Sequence, residues 1–146
     1  MSEHLSSTGT RKPTSFFAGS TRWMAPELVH AQAEDKKIHV TTYSDVYAYG
    51  AVFLEVITGQ LPYPHRSSDF LVILDIIQGV RPYQRSMVSA QMSALSLRGS
   101  AGSTSSVDVI WSVVESCWDP LPVVRPKMKD VVKLLVDLQV PPRCQV

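Results

Sequence analysis

The sequence contains little cysteine and no excess of charge of either sign. Only 2 cysteines occur in 146 residues, Cys117 and Cys144, which favours reduced thiols over a disulfide framework. The 14 basic and 13 acidic side chains are scattered and leave a net charge of +1, so we expect neither a nucleic-acid partner nor an anionic membrane partner. The 4 histidines, at positions 4, 30, 39 and 65, follow no ligand spacing, and we expect no metal site.

Long apolar runs are also missing. No stretch approaches the length that spans a bilayer, and the polar opening residues lack the apolar core of a secretory signal. We therefore expect an intracellular protein, with the cytoplasm as its default location. The 45% of hydrophobic residues is enough for one compact domain or a piece of one, and the chain is too short for two ordinary domains.

The strongest helix pattern covers residues 44–58. Thr41, Thr42 and Ser44 can cap its start, and Gly59 follows its last residue. A helix that is apolar nearly all round belongs in the middle of a core. Only two of its side chains are charged, Asp45 and Glu55.

Apolar residues at helical spacing predict shorter helices on either side, and no segment requires a β-strand. They are expected near residues 25–29, over 70–77 behind a Ser68-Asp69 cap, over 109–117, and from about Pro126 with Met128, Val131, Val132, Leu135 and Leu138 on one face. We expect a surface loop at 30–40 and a solvated turn at His65 and Arg66.

Composition divides the chain into three parts. Residues 1–18 are polar and irregular, residues 19–140 carry the helical patterns, and residues 141–146 form a tail. Within the middle part, residues 86–106 are rich in Ser, Gly and Ala and nearly uncharged, which predicts a disordered insertion.

Three motifs occur in a fixed order. Residues 19–27 read Gly-Ser-Thr-Arg-Trp-Met-Ala-Pro-Glu, residues 44–50 read Ser-Asp-Val-Tyr-Ala-Tyr-Gly, and residues 117–120 read Cys-Trp-Asp-Pro, followed by Arg-Pro at 125–126. Together they resemble the C-terminal lobe of a eukaryotic protein kinase, over most of residues 19–138. The resemblance implies a mainly α, partial kinase-like fold that consists of the helical C-lobe and has no N-lobe sheet.

The same motifs resemble the tyrosine-kinase-like group and true tyrosine kinases more than other kinases. Ser20 stands where true tyrosine kinases usually have proline, and serine/threonine kinases have a hydroxyl residue. The resemblance therefore implies that an intact relative phosphorylates Ser or Thr, with Tyr as the remaining option.

The resemblance also implies structural roles for motif residues. Glu27 is expected to pair with Arg125, and Trp118 is expected to pack in the core. Asp45 complements the backbone N–H groups at its helix N-terminus, and in kinases it also binds the catalytic loop. The other motif residues to which the resemblance gives structural roles are Ala25, Pro26 and Gly50.

Two sets of candidate functional residues follow from the same comparison. The resemblance implies that Ser20, Thr21 and Trp23 contact the substrate in an intact kinase. In this chain, however, we expect Ser20 and Thr21 to lie in an unanchored loop. Thr10, Thr14 and Ser15 lie in an activation-loop-like segment and are possible phosphorylation sites or ordinary loop residues.

The chain contains none of the kinase motifs that bind ATP and Mg²⁺ or supply the catalytic base: no Gly-x-Gly-x-x-Gly, no Val-Ala-Ile-Lys, no His-Arg-Asp and no Asp-Phe-Gly. We therefore expect no catalytic residue and no cofactor in this chain, and we interpret Met1 as the start of a truncated product or gene model. Its partner would be a protein substrate or the missing kinase lobe. The alternative is a noncatalytic helical binding module or pseudokinase-like scaffold that docks partner proteins. An exposed apolar strip expected on the central helix would be its partner surface or an aggregation hazard.

Overall fold

The computed structural model describes residues 19–96 and 104–139. In these ranges the chain is helical and has no β-strand, which confirms the expected mainly α, C-lobe-like fold without an N-lobe sheet. The α-helices are α1 (Pro26–Ala33), α2 (Thr42–Thr58), α3 (Asp69–Ile77), α4 (Arg85–Ser96), α5 (Thr104–Cys117) and α6 (Met128–Gln139), and 3-10 turns cover Thr21–Trp23 and Pro122–Val124.

The bounds of α2 are set by its own sequence. Thr41 and Ser44 form a capping box, in which the Ser44 N–H donates to Thr41 Oγ1 at 3.3 Å and the Thr41 N–H donates to Ser44 Oγ at 2.9 Å. Gly59 ends the helix in the left-handed region, with φ of 67°, and its N–H donates to the Glu55 carbonyl. Glycine adopts this conformation without the steric cost that a side chain brings.

Helix α2 lies in the centre of the molecule, as its apolar pattern predicts. It packs against α4, α5 and both 3-10 turns. Tyr47 and Leu54 belong to one buried apolar cluster, and Val46 belongs to a second cluster with Val113 and Val131. One side of the helix is uncovered, because Val52 is 45% exposed and Val56 is 79% exposed.

Helix α4 corrects the prediction of a disordered insertion at 86–106. Residues 85–96 are helical and α5 begins at Thr104, so only residues 97–103 of that insertion lie outside the described part. Val88 is fully buried and Met87 packs against the main core cluster. Burial of these two side chains stabilises a helix that its Ser-rich composition alone does not specify.

Helices α2 and α5 begin earlier than predicted, at Thr42 and Thr104, and other details of the helices also differ from the predictions. Helix α1 continues to Ala33, so the surface loop is shorter than 30–40. Ser68 occupies the N-cap of α3, but its side chain makes no capping hydrogen bond. Helix α6 begins at Met128, two residues after the predicted start. Its buried face is narrower than predicted: Val131 is buried, Met128 and Leu135 are partly buried against the second cluster, and Val132 is exposed. The side chain of Leu138 lies outside the described residues.

No helix among the described residues combines the length and the apolar character that a membrane span requires.

Candidate functional site

Residues 19–29, called the anchored segment below, run across α2 and α3 and contain the first sequence motif. Gly19 and Ser20 are exposed, whereas Thr21, Met24 and Ala25 are buried. Pro26 occupies the first position of α1, where its missing N–H costs nothing. The segment therefore presents Ser20 at the surface from a backbone that is packed immediately after it.

Arg22 corrects the expectation that Ser20 and Thr21 lie in an unanchored loop. Its Nη1 donates to the carbonyls of Pro62 at 2.8 Å and Tyr63 at 3.1 Å, and its Nη2 donates to the Arg66 carbonyl at 2.9 Å. Its Nε also lies 3.3 Å from Asp69 Oδ1. These contacts fasten the 3-10 turn that follows Ser20 to the loop between α2 and α3 and to the first residue of α3.

Trp23 is held by the central helix. Its indole N–H donates to Glu55 Oε2 at 2.8 Å. Glu55 is one of the two charged side chains of α2, and a hydrogen bond to a charged acceptor is stronger than one between neutral groups. The charge that interrupts the apolar pattern of α2 thus positions a candidate substrate-binding residue.

The far end of the anchored segment is fixed by the expected Glu27–Arg125 pair. Arg125 Nη1 donates to Glu27 Oε1 at 2.7 Å, and Nη2 donates to Oε2 at 2.8 Å. The Arg125 side chain is fully buried and also donates to the carbonyls of Asp119 and Tyr43. This two-pronged geometry is the one that a guanidinium makes with a carboxylate.

Tyr47 completes the surroundings of Arg125. The guanidinium carbon lies 5.1 Å from the centre of the Tyr47 ring, within the range of a cation–π contact. Burial raises the pKa of Tyr47 to about 12, despite the opposing effects of a hydrogen bond with Tyr63 and of the Arg125 charge. The phenol is therefore neutral at physiological pH.

His65 and Arg66 are solvated in part, as the sequence predicts, with side chains 50% and 36% exposed, but both also contact a buried carboxylate that the prediction did not include. Arg66 donates from Nε to Asp75 Oδ2 at 2.7 Å and from Nη2 to Asp75 Oδ1 at 2.6 Å. His65 Nε2 lies 3.0 Å from the same carboxylate, whose side chain is 2% exposed. The Arg66 hydrogen bonds, and to a smaller extent the His65 contact, lower the pKa of Asp75 against the opposing effect of burial.

Asp75 is a residue that the sequence interpretation missed. It interrupts the apolar run of α3, and the only available signal was that an acid on the buried side of a helix needs a cationic or hydrogen-bonding partner. His65 and Arg66, ten and nine positions earlier in the sequence, supply that partner.

Trp118 and Gly50 pack directly against each other. Trp118 is buried, and its ring stacks on Tyr83 with centroids 6.3 Å apart and meets the edge of Trp111 at 6.0 Å. A Cβ placed on Gly50 would lie 2.9 Å from Trp118 Nε1, so only glycine allows this approach. Trp118 is therefore a core residue, as expected.

Asp45 is exposed in the first turn of α2, where the cap itself is made by Thr41 and Ser44. With Tyr43, Val46 and Met128 it lines a cavity of about 360 Å³. Among the residues whose side chains are described, no group of three or more His, Cys, Asp or Glu is placed to hold a metal ion. The possible phosphorylation sites Thr10, Thr14 and Ser15 lie outside the described residues.

Comparison with known proteins decides the family. Residues 1–135 match the family described as protein tyrosine and serine/threonine kinase. The chain belongs to the protein kinase family. Its helices and anchored segment are accordingly those of a kinase C-lobe, and the Glu27–Arg125 pair joins two kinase motifs.

Individual relatives place this kinase sequence in the tyrosine-kinase-like type. It is 33% identical over 121 residues to an LRR receptor-like serine/threonine-protein kinase of Arabidopsis thaliana, which is 83% of this chain and 10% of the relative. It is 28% identical over 123 residues to an L-type lectin-domain containing receptor kinase of the same plant, which is 84% of this chain and 17% of the relative. Against the RAF proto-oncogene serine/threonine-protein kinase of Xenopus laevis it is 43% identical over 65 residues, which is 44% of this chain and 10% of the relative.

Proposed function

We propose that this chain is the polypeptide-binding part of a serine/threonine protein kinase and that it does not transfer phosphate by itself. Phosphoryl transfer requires groups that hold the ATP phosphates and Mg²⁺ and an aspartate that receives the substrate proton. The motifs that carry these groups are absent from the 146 residues. Transfer would therefore need the ATP-binding lobe and the catalytic loop from elsewhere.

The observation that carries the proposal is the anchoring around Ser20. The exposed Ser20 precedes a turn in which Arg22 donates to three carbonyls and Trp23 donates to Glu55. Farther along the anchored segment, Glu27 pairs with Arg125. A surface that is rigid before binding loses less conformational entropy when a peptide binds. The hydroxyl of Ser20, in place of proline, favours Ser or Thr over Tyr in the bound peptide.

The first test concerns ATP. A ligand that binds only the native state raises the melting temperature. We expect Mg²⁺ with ATP to leave the melting temperature of the purified chain unchanged. A clear rise that depends on ATP concentration contradicts the proposal that this chain lacks a nucleotide site.

The second test concerns the peptide. Arrayed peptides that differ only in a central Ser, Thr or Tyr are incubated with the purified chain, and we expect retention on the Ser and Thr spots. Arg22→Ala is expected to abolish this preference by releasing the turn after Ser20. Arg85→Ala serves as the matched control, since Arg85 forms an exposed ion pair with Asp108, which joins α4 to α5. Equal retention on all three central residues contradicts the proposal.

A second candidate function, a noncatalytic binding module, is favoured by the uncovered side of α2. Val52 and Val56 are exposed there, beside the stacked and partly buried Tyr49 and Phe53, whose ring centroids lie 5.9 Å apart. Exposed apolar patches are typical of protein–protein contact sites. In sedimentation over a range of concentrations, we expect the wild-type chain to self-associate and the Val52→Lys/Val56→Lys variant to remain monomeric. A wild-type chain that is monomeric throughout contradicts self-association through this side of α2.

A further inference from the structure

The turn at residues 62–66 is held by Arg22 on one side and by Asp75 on the other. On one side, Arg22 donates to the carbonyl oxygens of Pro62, Tyr63 and Arg66. On the other side, Arg66 turns its guanidinium to Asp75 of α3. The same residue thus offers its carbonyl to Arg22 and its side chain to Asp75.

Asp75 is the point on α3 to which two side chains of that turn are bound. Its carboxylate is almost completely buried, and a buried charge must be paired and hydrogen-bonded. Both of its oxygens accept from Arg66, and one of them is also 3.0 Å from His65 Nε2. Two successive residues of the turn are therefore held to one point on α3.

The path of the turn also depends on an uncommon backbone conformation. Tyr63 has φ of 55°, which a bulky residue adopts only when its surroundings enforce it. Its N–H donates to the Pro82 carbonyl at 2.8 Å, and its hydroxyl donates to the Val80 carbonyl at 3.1 Å. The Tyr63 carbonyl also accepts a hydrogen bond from Arg22. Because the backbone conformation of Tyr63 sets the direction of this carbonyl, the contact with Arg22 depends on that conformation.

We propose that Asp75 is a positioning residue for the substrate-facing turn at Ser20, and that it acts through the 62–66 turn and Arg22. Asp75 fixes His65 and Arg66, the fixed turn aims its carbonyls at Arg22, and Arg22 holds the 3-10 turn that directly follows Ser20. The functional meaning of this connection rests on the proposed function, in which Ser20 faces the peptide. The mechanical connection itself is tested separately.

The alternative is a merely structural Asp75, whose loss weakens α3 or the whole fold without a special effect at Ser20. The two readings differ in where the effect appears. Amide hydrogen exchange measures the opening of individual hydrogen bonds. The relevant reporters are the Trp23 N–H, which donates to the Ser20 carbonyl at 3.1 Å, and the Met24 N–H, which donates to the Thr21 carbonyl at 3.2 Å.

The experiment measures exchange at these two amides in the full chain, under conditions where each variant is folded. We expect Asp75→Asn to accelerate exchange there by about 5-fold or more, with less than about 2-fold change in α5. In an Arg22→Ala background, Asp75→Asn should accelerate exchange at these two amides by less than a further factor of about 2, because the contact between the 62–66 turn and Arg22 is already removed. The matched control is Glu115→Gln, which removes the exposed ion pair with Arg81 and should leave both amides unchanged.

Three results overturn the proposal: unchanged exchange at Trp23 and Met24 in Asp75→Asn, a uniform acceleration throughout the chain, or effects of Arg22→Ala and Asp75→Asn that multiply. If Asp75→Asn does not fold, Arg66→Gln decides, because it removes the bidentate contact and keeps the Arg66 carbonyl. Retention on the Ser-centred peptide array is measured on the same variants. A wild-type chain that retains no peptide contradicts the proposed function, while the exchange rates still decide whether Asp75 positions the turn.

Discussion

Glu27 and Arg125 are 98 residues apart in the sequence and form a bidentate ion pair in which the arginine is fully buried and the glutamate side chain is 29% exposed. The pair joins the start of α1 to the loop before α6, so that the two ends of the helical domain hold each other. Its energetic role follows from burial, because removal of one partner leaves the other charge without compensation.

We expect Glu27→Ala and Arg125→Ala to lower the free energy of unfolding by about 3–5 kcal/mol each, which is a large part of the stability of a small domain. Urea unfolding followed by circular dichroism measures this loss. Arg81→Ala, which breaks an exposed pair, is the control and should cost no more than about 1 kcal/mol. Similar losses in all three variants would show that burial does not set the strength of the Glu27 pair.

A methyl group at position 50 is expected to destabilise the fold. Alanine favours a helix interior over glycine by about 1 kcal/mol. In Gly50→Ala, however, the new Cβ would lie 2.9 Å from Trp118 Nε1 and 3.1 Å from Cys117 Cβ. Overpacking typically costs about 1–3 kcal/mol, and the Trp118 ring is confined by Tyr83 and Trp111, so after the gain in helix propensity we expect a net loss of about 1 kcal/mol and at most about 2 kcal/mol.

The cause is isolated by repeating the substitution in a Trp118→Phe background. Phenylalanine lacks the indole nitrogen that the new methyl group meets, so Gly50→Ala should cost less there than in the wild-type chain. Equal losses in the two backgrounds, measured by urea unfolding, would assign the effect to something other than Trp118.

Asp75 is expected to stabilise the fold in a pH-dependent way. Its pKa in the folded chain lies below the ordinary value of 3.8, chiefly because Arg66 donates to the ionised form. Its contribution is therefore complete above about pH 3.8 and is lost as the pH falls through the lower folded value. The stability difference between the wild type and Asp75→Asn should shrink below pH 3.8, as measured by urea unfolding at a series of pH values. A difference that is constant down to the acid unfolding limit contradicts the charged role of Asp75.

Cys117 is expected to react slowly with thiol reagents. It is fully buried, and burial raises its pKa to about 11, so at about pH 8 it carries roughly 100-fold less thiolate than an ordinary cysteine. In a Cys144→Ser chain, which leaves one thiol, alkylation should proceed only as fast as the fold opens and should become rapid in denaturant. Native labelling at the rate of a free thiol would contradict the buried position of Cys117.

Features that depend on neighbouring residues could be predicted from the sequence. The ends of α2 follow from Thr41, Ser44 and Gly59, and Pro26 marks the start of α1, because each acts through the backbone of its own turn. The Glu27–Arg125 pair could be predicted for a different reason. It joins two motifs that occur together in the kinase family, and nothing in the local sequence of either residue names its partner.

Features that depend on tertiary burial were not predictable in the same way. Helix α4 has the composition of a linker and is stabilised by the burial of Val88 among side chains from other helices. Asp75 interrupts an apolar helix, and only the folded turn brings His65 and Arg66 to its carboxylate. The partners of Arg22 on that turn are carbonyl oxygens, which every residue possesses.

This choice of partner has a consequence for how the molecule can vary. Because Arg22 binds main-chain oxygens of Pro62, Tyr63 and Arg66, it recognises the course of the turn and not the identity of its side chains. Exposed positions near the turn, such as Ser67, are therefore open to replacement without a change in what Arg22 contacts. The residues around this turn can therefore change over evolutionary time while the position of Ser20 is preserved.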